Sequence, residues 1–202
     1  VHITLNKRIP TDAGLGGGSA DAAATLRALN KIAGHPLGIE TLLKIAESLG
    51  SDVPFCLIGG RAICHGRGEK ILPLKNEDEL HVLIAKTDEN VSTPIAYSVL
   101  DKQYADFKDE RKNDGREEII ADLKNGNYNR LYNIFDEPVL SQCPKAKSVK
   151  ETMLSLGASV ALMSGSGPSV FGIFESAEAL EKSREIIEND FYEARVFATK
   201  TI

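Results

Sequence analysis

Four glycines within five positions, Gly14, Gly16, Gly17 and Gly18, precede Ser19 and an alanine-rich run. Glycine lets backbone take positive φ and lets a ligand come close to the amides. Ser19 reads as the N-cap of a helix to about Ile32, because Ala22, Ala23, Ala24, Leu26, Ala28 and Leu29 favour helix. A glycine loop feeding a helix N-terminus presents free N–H groups and the positive end of the helix dipole, which suits phosphate. The other reading of the same residues is a tight turn that opens a closely packed helix. Asp52, in the run Gly50 to Phe55 (GSDVPF), is either a turn-forming residue or a carboxylate placed to accept a proton. The third cluster, Ser164-Gly165-Ser166-Gly167-Pro168, lies between two apolar runs and by itself signals a hairpin.

Two familiar phosphate motifs do not fit. No lysine follows the glycines as a P-loop requires, and counting from Gly14 the last glycine of a dinucleotide fingerprint is replaced by Ser19. The string Pro10-Thr11-Asp12-Ala13-Gly14-Leu15-Gly16-Gly17-Gly18-Ser19 instead resembles the second motif of the GHMP kinases. The segment around Asp52 resembles the family's G-x-D-V-P-F stretch, and SGSGPSVF from Ser164 its third motif.

The resemblance implies an ATP-dependent kinase acting on a small-molecule alcohol that carries a cytidine diphosphate group. It implies that Pro10, Thr11, Asp12, Ala13, Gly14, Leu15, Gly16, Gly17, Gly18, Ser19 and Ala20 wrap the ATP phosphates. Ser19 would offer its hydroxyl to Mg²⁺; Asp21, in the first turn, would approach the metal or, as its place at the positive end of the helix favours, cap the helix. Asp52 would be the catalytic base that takes the proton of the attacking hydroxyl. Thr93 and Tyr97, in the stretch VSTPIAY, would meet the cytidine moiety, against the plain alternative of a helix cap and a core aromatic. The third motif would support the site. Gly17→Val is expected to abolish ATP binding by blocking positive φ and close phosphate approach. Other GHMP kinase activities (homoserine, mevalonate or sugar kinase) and a nucleotide-binding fragment without turnover stay open as alternatives. The family's opening segment, with its first motif and lysine, has no match in these residues, and Lys7 and Arg8 do not fill that role. The expectation is a sequence starting inside a domain, with residues 1–202 alone binding ATP poorly and showing no turnover.

The elements that must hold these groups follow from periodicity. Val1 to Ile9 alternates like a strand, and Ile39 to Leu49 is a helix with Ile39, Leu42, Leu43, Ala46 and Leu49 on one face. SDVPFCLIGG reads as a polar turn and a short apolar run, followed by a hairpin, Arg61–His65 and Lys70–Leu74. The charged stretch Lys75 to Glu79 is the expected boundary, giving domains 1–78 and 79–202. Beyond it come a strand His81–Lys86, a helix Thr93–Leu100, a solvated connection Lys102–Glu118, and helices over Glu117–Lys124 and Asn127–Val139. Helix Pro144–Leu156, strands Ser159–Met163 and Ser169–Phe174, helix Ala177–Asn189 and strand Ala194–Thr201 close the chain. With His81–Lys86 this is the β-α-β-β-α-β order of a ferredoxin-like domain. The expected fold class is α+β: the GHMP kinase two-domain architecture, an α/β nucleotide-binding domain followed by a ferredoxin-like C-terminal domain.

A net charge of −5 argues against a general nucleic-acid surface, yet leaves a glycine-loop phosphate site open. Cys56, Cys64 and Cys143 have neither zinc spacing nor a disulfide framework, so a reducing cytoplasm is expected. His2, His35, His65 and His81 lack metal-ligand spacing. No apolar run reaches the ~18 residues of a membrane span, and no signal peptide is evident. The expected partner is a small molecule, on a monomer or homodimer, without nucleic acid or membrane.

Overall fold

The computed structural model describes residues 1–74, 79–104 and 116–201. Of the expected boundary Lys75 to Glu79, all but Glu79 lies outside the described residues, as does most of the charged connection from Lys102. Two compact units divide the chain. One gathers Val1–Thr11 and Gly16–Asp78, the other Asp12–Leu15 and Glu79–Thr201.

In the first unit, α1 (Gly17–Ile32), α2 (Ile39–Leu49) and α3 (Val53–Ile58) share a small core of Ala23, Leu42, Ala46, Val53 and Leu57. Alanines on α1 keep its neighbours close. Asn30 is buried and closes the α1–α2 connection, its Nδ2 donating to the Leu37 carbonyl and its Oδ1 accepting from the Leu37 amide. On α2 only Leu42 and Ala46 are buried. Ile39 and Leu49, expected on the same face, are more than half exposed. The apolar run after Asp52 is α3, with Pro54 in its first turn, where a missing N–H costs nothing. Arg27 on α1 donates to the carbonyls of Cys56 and Leu57, which the end of α3 leaves without helical partners. Strands β1 (Arg61–His65) and β2 (Lys70–Leu74) form the expected antiparallel hairpin, His65 opposite Lys70.

Val1 to Ile9 is not a strand. A strand needs a hydrogen-bonding neighbour, and among the described residues neither sheet extends to this segment. Its alternate residues Val1, Ile3 and Leu5 are therefore 93%, 59% and 59% exposed.

The second unit is built on β3 (His81–Lys86), β4 (Val160–Met163), β5 (Val170–Phe174) and β6 (Arg195–Lys200), in sheet order β4-β5-β3-β6. All three pairings are antiparallel, and the order is that of a ferredoxin-like β-α-β-β-α-β sheet. Helices α7 (Pro144–Ser155) and α8 (Ala177–Asp190) pack on it through Val149, Met153, Leu180 and Ile187 against Leu83 and Ala85. Between β3 and α7 lie α4 (Thr93–Gln103), α5 (Arg116–Lys124) and a short α6 (Asp136–Leu140). The helix expected over Asn127–Val139 shrinks to α6. Asparagines upstream bind locally instead: Asn127 Oδ1 accepts from the Asn129 amide and Asn133 Oδ1 from the Phe135 amide.

Candidate functional site

Gly16, at φ 62°, occupies the cap position of α1, and the helix starts at Gly17, two residues before the expected Ser19. Ser19 is thus the third helical residue and does not cap. Gly16 has no side chain to cap the first-turn amides, whereas the Ala20 amide is already bonded to the Gly16 carbonyl at 2.9 Å. Asp21 sits one turn into the helix and does not cap either. Its carboxylate pairs with Lys7 at 2.5 Å.

The glycines differ in what they are for. Gly14 (φ 70°) must be glycine for contact as well as conformation, since a Cβ there would lie 2.1 Å from the Ser164 carbonyl oxygen and 2.8 Å from the Gly167 nitrogen. Gly17 has no positive φ, which corrects the reason given for its sensitivity. A Cβ there would meet Ile9 at 3.0 Å and the Lys7 ammonium at 3.3 Å. Gly18 is the informative one. It is the second residue of α1, and a Cβ there would meet nothing within 4 Å. Neither conformation nor packing asks for glycine at that position. The space beside Gly18 at the helix N-terminus is open.

The turn from Ser164 is the other half of the Gly14 contact. Ser164 Oγ donates to the Gly14 carbonyl at 2.9 Å, and Ala13 beside it is buried. Asn133, which the sequence pattern did not single out, holds the turn. Its Nδ2 donates to the carbonyls of Met163 at 2.8 Å and Gly165 at 2.7 Å. Asn133→Ala is expected to lower stability by about 1–3 kcal/mol, the cost of leaving such carbonyls unpaired. Chemical denaturation measures it, and a variant as stable as the parent would mean that water replaces the amide.

Asp52 precedes α3 at its cap position, but its side chain makes no capping hydrogen bond and is exposed. It faces the hairpin turn: its Oδ1 lies 3.7 Å from where a Cβ on Gly68 would stand. Burial pushes the Cys56 and Cys64 thiols above their usual value, and the Asp52 carboxylate adds to the rise, with Arg27 opposing it at Cys56.

Thr93 and Tyr97 both lie on α4. Ser92 holds the cap position, so Thr93 is the first helical residue, and its Oγ1 is 3.1 Å from Ser166 Oγ in the glycine turn. Tyr97 is not a core residue. Its ring leans edge-on against Phe135, 4.9 Å between centroids, and remains 53% exposed. An amphipathic ring fixed on one side and open on the other can stack a base. Among the described residues no three His, Cys, Asp or Glu side chains cluster as metal ligands. No described helix is long and apolar enough to cross a membrane.

Comparison with known proteins adds the following. Residues 1–60 match the GHMP kinases N terminal domain and residues 113–194 the GHMP kinases C terminal domain. A 4-diphosphocytidyl-2-C-methyl-D-erythritol kinase of Listeria monocytogenes serotype 4a (strain HCC23) is 41% identical over 179 residues, 87% of this chain and 60% of that protein. One from Caldicellulosiruptor saccharolyticus is 38% identical over 209 residues, 95% of this chain and 70% of the relative. Among solved structures, a crystal structure of 4-(cytidine 5'-diphospho)-2C-methyl-D-erythritol kinase superposes with a TM-score of 0.79 at 32% identity, over 96% of this chain and 68% of that one. The chain spans about 60% of the length of the Listeria relative.

Proposed function

The chain belongs to the GHMP kinases, and from that premise we propose that it transfers the γ-phosphoryl group of ATP to the 2-hydroxyl of 4-diphosphocytidyl-2-C-methyl-D-erythritol, a step of the non-mevalonate isoprenoid route. The observation that supports the phosphate side is the start of α1, where Gly16 at φ 62° holds the cap position and no side chain caps the first-turn amides. The identity of the relatives supports the acceptor.

In this reading residues 1–78 belong to the ATP-binding domain and 79–202 to the C-terminal domain. The amides from Pro10 to Ala20, above all those at the start of α1, hold the phosphates against the helix dipole. ATP brings the phosphoryl group, and Mg²⁺ neutralises charge on its oxygens when bound, with Ser19 as the protein's hydroxyl toward it. Asp52 accepts the proton of the acceptor hydroxyl as its oxygen bonds to the γ-phosphorus and the bond from that phosphorus to the β,γ-bridging oxygen breaks, ADP leaving with the bridging oxygen; the carboxyl later releases the proton to solvent. Thr93 and Tyr97 take the cytidine moiety.

The test is a panel of acceptors with ADP release as readout in the intact protein. Turnover of the diphosphocytidyl compound and not of homoserine or mevalonate is expected. Turnover only of an acceptor without cytidine would move the protein to another GHMP activity. Tyr97→Ala in the same assay is expected to weaken the diphosphocytidyl acceptor by about 1–2 kcal/mol through lost stacking, leaving ATP affinity unchanged.

A further inference from the structure

Lys86, at the end of β3, is a lysine only 6% exposed and belongs to none of the groups assigned above. An ammonium has three N–H donors, and here each meets an oxygen: the Thr87 carbonyl at 2.6 Å, the Glu89 carbonyl at 2.5 Å and Asn90 Oδ1 at 3.3 Å. These three oxygens belong to the connection that runs from β3 to α4. Burial pushes the Lys86 ammonium below its usual value, opposed by Asp88 first and then by Cys143, Glu89 and Asp12. A buried charge is costly, and an apolar side chain would fill the volume without that cost. What an apolar side chain cannot do is satisfy two carbonyls that turn inward.

Glu89 fastens the same connection from its other side. Its Oε1 accepts from the Lys145 amide at 3.0 Å and its Oε2 from the Ala146 amide at 2.8 Å. These are first-turn amides of α7, whose own cap residue Cys143 offers no side-chain acceptor. The carboxylate also suits the positive end of that helix. Thr87 Oγ1 donates to Glu89 Oε2 at 3.2 Å, and Asp88 pairs with the Lys145 side chain at 2.8 Å. Two residues beyond Asn90 the chain reaches Ser92 and enters α4 at Thr93.

We propose that Lys86 and Glu89 are positioning residues for the acceptor: together they fix the β3–α4 connection, and with it the start of α4 that presents Thr93 and Tyr97 to the cytidine diphosphate group. The proposal rests on the reading that Thr93 and Tyr97 take that group. It gives the two residues no part in the chemistry, their contacts being with the connection and with α7.

The experiment is steady-state kinetics in the intact protein for Lys86→Met, Glu89→Gln and Tyr97→Ala, with cytidine diphosphate titrated by calorimetry as the binding probe. A misplacement of about an ångström at a binding contact is costly, and KM for the diphosphocytidyl acceptor is expected to rise roughly tenfold in both clamp variants, with KM for ATP within about twofold. Cytidine diphosphate affinity should fall in parallel. Glu89→Gln keeps the residue's size and one acceptor oxygen, so the test stands if Lys86→Met does not fold. A purely structural role would lower the active fraction, and so kcat, with both KM values unchanged. That outcome, alongside a raised acceptor KM in Tyr97→Ala, overturns the clamp and leaves the acceptor assignment standing. If Tyr97→Ala also leaves acceptor KM and cytidine diphosphate affinity unchanged, the acceptor assignment fails and the clamp fails with it.

Discussion

Asp52→Asn is expected to reduce turnover by on the order of 10²–10⁴-fold, the usual contribution of a general base. The substitution keeps size and shape while removing the charge and the ability to take a proton. Asp52 makes no capping bond, so its replacement leaves α3 with the same backbone contacts. Folding and ATP affinity should therefore match the parent, which calorimetry and thermal melting check beside the kinetic assay. A loss confined to kcat identifies the carboxylate as part of the chemistry. Turnover within a few-fold of the parent would return Asp52 to a turn residue beside two thiols and the Gly68 turn.

Gly14→Ala should be the most damaging single change in the glycine loop. At φ 70° an alanine pays roughly 1–2 kcal/mol in backbone strain. Its Cβ would also stand 2.1 Å from the Ser164 oxygen, an overlap with backbone that no rotamer relieves. Forcing atoms into filled space costs typically 1–3 kcal/mol. The loop or the Ser164 turn must shift, and nucleotide binding is expected to be lost in a protein destabilised by about 2–5 kcal/mol. Titration calorimetry with ATP and a denaturant melt give the two readouts. Gly18→Ala is the control within the same loop: it carries neither strain nor overlap, so any loss of ATP affinity there comes from the space above the amides alone. Unchanged ATP affinity in Gly14→Ala would sink the assignment of this loop to phosphate.

Much of the second unit was legible before its structure. The strands His81–Lys86 and Val170–Phe174 and the helices around them are long, periodic and bounded by turn residues, and their order alone predicts the ferredoxin-like sheet. The α3 helix was not, because DVPFCLI is too short for a period to distinguish helix from strand. Ser19 was misread as a cap since propensity favours serine there, whereas Gly16 supplies the left-handed turn that starts the helix. For the site, the glycine motifs and Asp52 stand out by residue type and spacing. Asn133, Lys86 and Glu89 do not, because their roles consist of partners that lie elsewhere. Asn133 works on carbonyls about 30 residues downstream and Glu89 on amides 56 and 57 residues away. Neither a lone asparagine in a turn-rich stretch nor a lysine ending a strand carries a local sign of such contacts.

The hydrogen bond from Ser164 to the Gly14 carbonyl spans 150 positions of chain. On a ribosome Gly14 emerges long before its partner exists. Helices α1 and α2, whose contacts are local, can form early, but the left-handed turn at Gly14 has nothing to hold it until the last quarter of these residues has been made. Bringing the two ends of so long a segment together costs entropy that grows only slowly with length, about 0.6 kcal/mol per doubling, so distance is no thermodynamic obstacle. It does set an order of events. The turn at Gly14 is made early in this sequence and meets its Ser164 partner only 150 positions later.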